Sequence, residues 1–223
     1  MNENILFFDI ETEVHSDALQ YMDDPTPPSN YKTEEAITKY ITEKKAEMVE
    51  KAALDPDYGR ISAISMLFDS KKITMITSKP ETLGDYKPAK SSLDSLEAAM
   101  IRRFWDELYV YKNICCGYNI LSFDLPYLMR RSFDLGIRSI PIHSNELAKY
   151  RTMPVLDLMA VLFNWGQAKS LKWVAKRYGL KNPLPDLDGS MYAMMDEETR
   201  IKYVENDVNL VVQLYEKMAG IYF

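Results

Sequence analysis

The chain is poor in residues that staple or chelate. Its 223 residues include two cysteines, Cys115 and Cys116, and these are neighbours. Adjacent cysteines bridge poorly, and two of them make neither a disulfide framework nor a four-ligand zinc site. They are expected to be reduced residues of a buried strand. No apolar run approaches the roughly 20 residues that a membrane helix needs. The N-terminus lacks the basic stretch followed by an apolar one that marks a secretory leader, so a cytoplasmic protein is expected. Positive charge is also short: the formal net charge is −6, which argues against coating nucleic acid by bulk electrostatics. It leaves room for an enzyme that meets phosphate through bound cations, because those reverse the local sign.

What is present suffices for a packed core without staples: 47% of the residues are hydrophobic and 27% charged. Residues 4–10 read as a strand, apolar on both faces from Ile5 to Phe8 and therefore central. A polar, Pro-rich loop (15–32) and a helix (33–53) follow. "RISAISMLF" (60–68) and "KITMIT" (72–77) read as a hairpin, followed by a loop over 79–91. From Ser92 to Tyr111, Leu93, Leu96, Met100, Phe104 and Leu108 share one helical face. "NICCGYNI" (113–120) reads as a second buried strand, and "FDLPYLMRRSFDLG" as a helix with Asp124 at its start and Gly136 beyond its end. "PVLDLMAVLFNW" reads as helical, opening as a strand end, and "SLKWVAKRYGL" as another helix. The last helix runs from near Asp196 to about Gly220, with Glu197 and Glu198 in its first turn. No repeat or linker divides the chain. One α/β domain over 1–223 is expected, with about 15–59 as an inserted loop plus helix.

Acids interrupt this pattern where apolar residues are expected. In "ILFFDIETEV" (5–14), Asp9 and Glu11 stand two apart, so an extended chain turns both to one face. Two like charges side by side are unfavourable unless a cation or a shared proton compensates them. Such a pair is either a solvated strand end or a metal site. Asp124 ends the apolar run of the second buried strand and reads, alone, as a helix N-cap. In the last helix Tyr203, Asp207, Leu210, Val211 and Leu214 lie on one face, which places an acid on an apolar stripe. Four convergent carboxylates suit hard divalent cations, and a pair of such ions supports phosphodiester cleavage. With neither histidine in these segments and no cysteine cluster, Mg²⁺ or Mn²⁺ is favoured over zinc.

"FDIET", "NILSFDLPYL" and "YVEND" resemble, in order and spacing, the three motifs of DnaQ-like 3'–5' exonucleases. The likeness is to the proofreading exonuclease domain of family B DNA polymerases and its stand-alone relatives. "ALDPDYGRISAI" and "SLKWVAKRYGL" resemble connecting segments of those relatives, and no polymerase domain is expected in this chain. The resemblance implies a ribonuclease H-like fold, a five-stranded mixed sheet flanked by helices. It implies that Asp9, Glu11, Asp124 and Asp207 hold two divalent cations, and that Tyr203 orients the attacking water. Thr12, Asn119 and Phe123 are implied to touch the single strand. Tyr203 stands four residues before Asp207, the spacing of the tyrosine (DEDDy) subclass; the histidine subclass has its base five before, where Lys202 stands here. A lysine shortly before the third motif, seen in some of those domains, is missing; Lys181 is the nearest upstream. Lys169, Lys172, Lys176, Arg177 and Lys181 form either a nucleic-acid track or a solvated helix face.

By this resemblance the chain hydrolyses the 3' end of single-stranded DNA and releases nucleoside 5'-monophosphates. The alternatives are the same chemistry on RNA, where one 2'-OH contact decides, and a non-catalytic nucleic-acid-binding relative. Expected partners are the nucleic acid and a separate polymerase or single-strand-binding protein; no membrane contact is expected, and the chain is expected to be a monomer.

Overall fold

A computed structural model describes residues 5–90, 92–112 and 114–223. Asn4 of the first expected strand, Ser91 of the expected loop and Asn113 of the second buried strand lie outside the described residues. The chain divides into two compact units, Met1–Glu11 with Ile61–Phe223, and Thr12–Arg60.

The larger unit is built on one mixed sheet of order β3-β2-β1-β4-β5. Its strands are β1 (Leu6–Val14), β2 (Gly59–Phe68), β3 (Lys71–Ile76), β4 (Cys115–Gly117) and β5 (Val155–Asp157). The first strand is central, as its two-faced apolar run implies. It also runs further than expected, to Val14, so Asp9 and Glu11 stand inside the strand. The β-branched alternation of Ile10, Thr12 and Val14 favours that extension. β2 and β3 are antiparallel through a two-residue turn at Asp69 (φ 44°) and Ser70 (φ 67°). Positive φ at both central residues matches the right-handed twist of the flanking strands. β4 pairs in parallel with β1 and with β5.

The second buried strand is shorter than the sequence suggests, ending at Gly117. A Cβ there would lie 2.2 Å from Ile120 Cγ2 and 3.1 Å from the Phe8 carbonyl oxygen, so only glycine lets the turn pack this close. Asn119 (φ 69°) then reverses the chain.

Helices cover both faces of the sheet in this unit. α2 (Leu93–Val110) and α3 (Asp124–Asp134) pack with Leu6, Phe8 and Ile10. α4 (Leu158–Leu162), α5 (Leu171–Tyr178) and α6 (Glu197–Met218) contribute to the cluster around Ile5 and Phe7. Period-two alternation along β1 makes this division. It also determines where the acids go, because Asp9 and Glu11 share the parity of Ile5 and Phe7 and therefore face the α6 side. Leu96, Met100, Phe104 and Leu108 of α2 are buried as expected, whereas Leu93 is exposed because it is the first helical residue. Ser92, Ser170 and Asp196 cap the starts of α2, α5 and α6. "PVLDLMAVLFNW" resolves into β5 and then α4, which Asp157 caps. Cys115 and Cys116 are free and buried in β4. A buried pair ties α2 to α3: the Glu97 carboxylate accepts from Arg131 Nε (2.9 Å) and Nη2 (2.8 Å) and from the Ile61 N–H (2.8 Å).

The smaller unit holds α1 (Glu34–Lys51), capped by Thr33, whose Oγ1 accepts from the Ala36 N–H. Within it Glu13 and Arg60 form an ion pair of 2.8 Å. Among the described residues no helix is long and apolar enough to cross a membrane.

Candidate active site

Asp9 and Glu11 project from β1 and Asp207 from α6, and each offers a carboxylate oxygen within 4.8 Å of the others. The strand supplies the pair by its alternation. The helix supplies the third acid through the face it shares with Tyr203, Leu210, Val211 and Leu214, all buried. Asp207 thus stands on a stripe whose other members anchor the helix to the core.

Asp124 is the first residue of α3 and is 3% exposed. It does not cap its own helix: Phe123 holds the cap position, and no side chain bonds there. Its Oδ1 instead accepts from the backbone N–H of Ile10 at 3.2 Å, between the two β1 acids. A strand amide in the sheet centre outcompetes a local cap because burial leaves it few other partners.

The acids repel one another in a low-dielectric setting. Burial first, then the charges of Asp124, Glu11 and Asp207, push the Asp9 carboxyl well above the usual range. Burial, then Asp207 and Asp124, does the same to Glu11, and the Lys172 ammonium opposes it. Burial raises Asp124 to about 7, against the relief given by the Ile10 N–H. Asp207 is raised to about 6 by burial, opposed by Lys172, by the nearby Tyr203 hydroxyl and by the hydrogen bond from Asn206. This set is all oxygen, crowded and short of positive charge. It fits a hard divalent cation, which relieves the repulsion and prefers carboxylate ligands.

Tyr203 is 4% exposed, and its hydroxyl lies close enough to Asp207 for the two to influence each other electrostatically. Burial and the neighbouring acids push the phenol far above its ordinary value, so it stays protonated. Lys172 Nζ lies 5.6 Å from the centroid of the Tyr203 ring. Asn206 Nδ2 bridges Asn182 Oδ1 (3.1 Å) and Asp207 Oδ1 (3.4 Å), which steadies the carboxylate from the other side.

Asn119 and Phe123 bracket the turn that leads into α3, both half-buried. The Phe123 ring packs on Tyr127 at 5.4 Å. Thr12 follows Glu11 in β1 and is the first residue of the smaller unit. Of the five basic residues between 169 and 181, Lys169, Lys176, Arg177 and Lys181 are exposed, and Lys172 is half-buried beside the acids.

Sequence reasoning missed Asp157, which shapes this turn. Its carboxylate is buried and accepts from the N–H groups of Asn119 (3.0 Å), Leu121 (3.0 Å), Met159 (3.0 Å) and Ala160 (3.2 Å). It caps α4 and fastens the Asn119–Phe123 turn at once. The available signal was an acid closing the apolar run "PVL" just before a helical pattern.

The comparisons with known proteins bear on this geometry. The family described as DNA polymerase family B, exonuclease domain, matches residues 40–154, about half of the chain. That stretch contains Asn119, Phe123 and Asp124; Asp9, Glu11, Tyr203 and Asp207 lie outside it and join it through the fold. Among solved structures, the chain is similar to the family B DNA polymerase from the hyperthermophilic archaeon Pyrobaculum calidifontis, with a TM-score of 0.58 and 19% sequence identity. The likeness covers 96% of this chain and 24% of the polymerase, so the chain spans about a quarter of that protein's length. No curated protein gives a significant match.

Proposed function

This chain belongs to the exonuclease-domain family of the family B DNA polymerases and is a 3'–5' exonuclease; on that premise we propose that it degrades single-stranded DNA from the 3' end by a two-cation mechanism. The observation that carries the reading is the convergence of Asp9, Glu11 and Asp207 beside the Tyr203 hydroxyl.

In this reading Asp9, Glu11, Asp124 and Asp207 hold two divalent cations, Mg²⁺ or Mn²⁺. When bound, these supply a water acidic enough to attack at neutral pH and offset the charge that develops on the leaving oxygen. Glu11 accepts a hydrogen bond from the terminal 3'-OH, which sets the direction of degradation. Tyr203, protonated and beside Asp207, orients the attacking water through its hydroxyl and does not serve as a base. The water oxygen bonds to phosphorus as the P–O3' bond breaks. The terminal residue leaves as a nucleoside 5'-monophosphate, and the shortened strand carries the new 3'-OH. Phe123 offers a face for an unstacked base, with stacking worth about 1–3 kcal/mol per base. Asn119 and Thr12 complete the contacts to the strand. The chain acts as a monomer and works beside a separate polymerase or single-strand-binding protein.

A 5'-labelled single strand sampled over time with Mn²⁺ tests this. The expected product is a descending ladder of single-nucleotide steps, faster than on a blunt matched duplex or a matched RNA, and slowed by a 3'-phosphate. Immediate release of a labelled mononucleotide means the opposite polarity. Internal cuts in a closed single-stranded circle mean an endonuclease, and an intact strand means a non-catalytic relative.

A further inference from the structure

A cluster of carboxylates repels the phosphate it must receive. Bound cations answer most of that repulsion, but a nearby fixed positive charge also matters, because it acts on the substrate before and after the ions exchange. The side chain so placed is Lys172, in the first turn of α5. Its Nζ stands 5.6 Å from the centroid of the Tyr203 ring, within cation–π reach. Tyr203 is itself held by burial, at 4% exposed, with its ring 6.2 Å from that of Tyr192. The ammonium thus has a buried aromatic shelf beside the acids. Its field reaches Glu11, Asp207 and the exposed Asp188. Neighbouring bases are engaged elsewhere: Lys169 lies over Trp173 at 5.9 Å, and Arg177 over Tyr178 at 5.8 Å.

We infer that Lys172 is a substrate-binding residue, whose ammonium, propped on the Tyr203 ring beside Glu11 and Asp207, takes a non-bridging oxygen of the phosphate presented to the carboxylates. This deepens the functional reading above and rests on it. Lysine suits the task as a compact cation with three donors on a flexible stem. The charge comes from α5, far upstream in sequence of the last acidic motif, and packing alone brings it to the site.

The test uses Lys172→Gln, Lys172→Arg and, as a control on the same helix, Lys176→Gln, each checked for native circular dichroism. Binding of a fluorescein-labelled oligothymidylate is measured in EDTA over a range of salt. Lys172→Gln is expected to bind on the order of tenfold more weakly. The slope of log affinity against log salt should shrink by about 0.7, the value for one phosphate contact on a single strand. Lys172→Arg should recover most of the loss, and Lys176→Gln should change binding less than about threefold, as expected of an exposed charge. A Mn²⁺ titration without DNA adds a second sign: removing an ammonium beside the carboxylates should tighten Mn²⁺ binding. Unchanged strand affinity and salt slope in Lys172→Gln overturn the inference. So does a parallel loss of strand and Mn²⁺ binding, which marks a structural role, or an equal loss in Lys176→Gln, which marks a diffuse basic face. A wild-type chain that shortens no strand overturns the functional reading itself; one that shortens the strand while Lys172→Gln binds unchanged overturns the lysine alone.

Discussion

The Asp124 carboxylate accepts a hydrogen bond from the backbone N–H of Ile10 at 3.2 Å, across 114 residues of sequence. Ile10 separates Asp9 from Glu11, so one bond sets the start of α3 against the strand that carries the acidic pair. The acids of β1 and α3 are therefore held in register by main chain, and α6 brings Asp207 to the same edge by apolar packing.

The first prediction concerns the cation. Hydrolysis should stop in EDTA and return with Mg²⁺ or Mn²⁺. Asp9→Asn keeps side-chain shape and removes the charge felt by the other acids. It should cost on the order of 10³-fold or more in the rate of ladder formation, at least the upper end for losing one electrostatic contributor. Full turnover in EDTA, or near-normal rate in Asp9→Asn, would refute the assignment.

Stability without metal should fall as pH rises. Asp124 is raised to about 7 and Asp207 to about 6, and Asp9 and Glu11 are also raised. The folded chain thus holds more protons than the unfolded one between about pH 4 and 7. That contribution is fully present below the unfolded values and is lost as pH rises through the folded ones. In EDTA the melting temperature should drop by on the order of 5 °C from pH 5 to pH 8, a few kcal/mol for a chain of this size. Mn²⁺ at pH 8 should restore it. The dependence should flatten in an Asp9→Asn/Asp207→Asn double variant, and an equal slope in both proteins would count against the coupled acids.

Tyr203→Phe removes one hydroxyl and keeps the ring that packs near Tyr192, 6.2 Å away. The fold should survive, and the rate should fall roughly 10- to 1,000-fold, overlapping the lower part of the acid–base range. Its pH–rate profile should keep its shape, because the phenol stays protonated throughout. An unchanged rate would return Tyr203 to a packing role.

Asp157→Ala leaves four backbone N–H groups without their acceptor. It should lower stability by on the order of 3–4 kcal/mol, about two charge-assisted hydrogen bonds' worth. Chemical denaturation measures this directly. Asp157→Asn should lose less, since one oxygen remains. A mild effect in Asp157→Ala would mean that water replaces the carboxylate at the turn.

Local pattern carried a large part of the architecture. The apolar run Ile5–Phe8 marked a central strand, the turn residues Asp69 and Ser70 lay between two alternating runs, and Ser92, Ser170 and Asp196 marked helix starts. These features depend on neighbours within a few residues, where period, capping and turn chemistry act. The shared face of Asp9 and Glu11 follows from strand alternation alone. Tertiary structure decided the rest. Gly117 ends β4 because Ile120 and the Phe8 carbonyl leave no room for a Cβ. Asp124 serves Ile10 and not its own helix because the buried strand amide needs an acceptor. Asp157 did not stand out within "PVLDLMAVLFNW", and Lys172 read either as part of a nucleic-acid track or as one of a solvated helix face, since nothing within a helical turn of either names Asn119 or Tyr203 as a partner. Whether an acid or a base is solvated or aimed at a site depends on groups that are distant in sequence, and only packing brings those groups within reach.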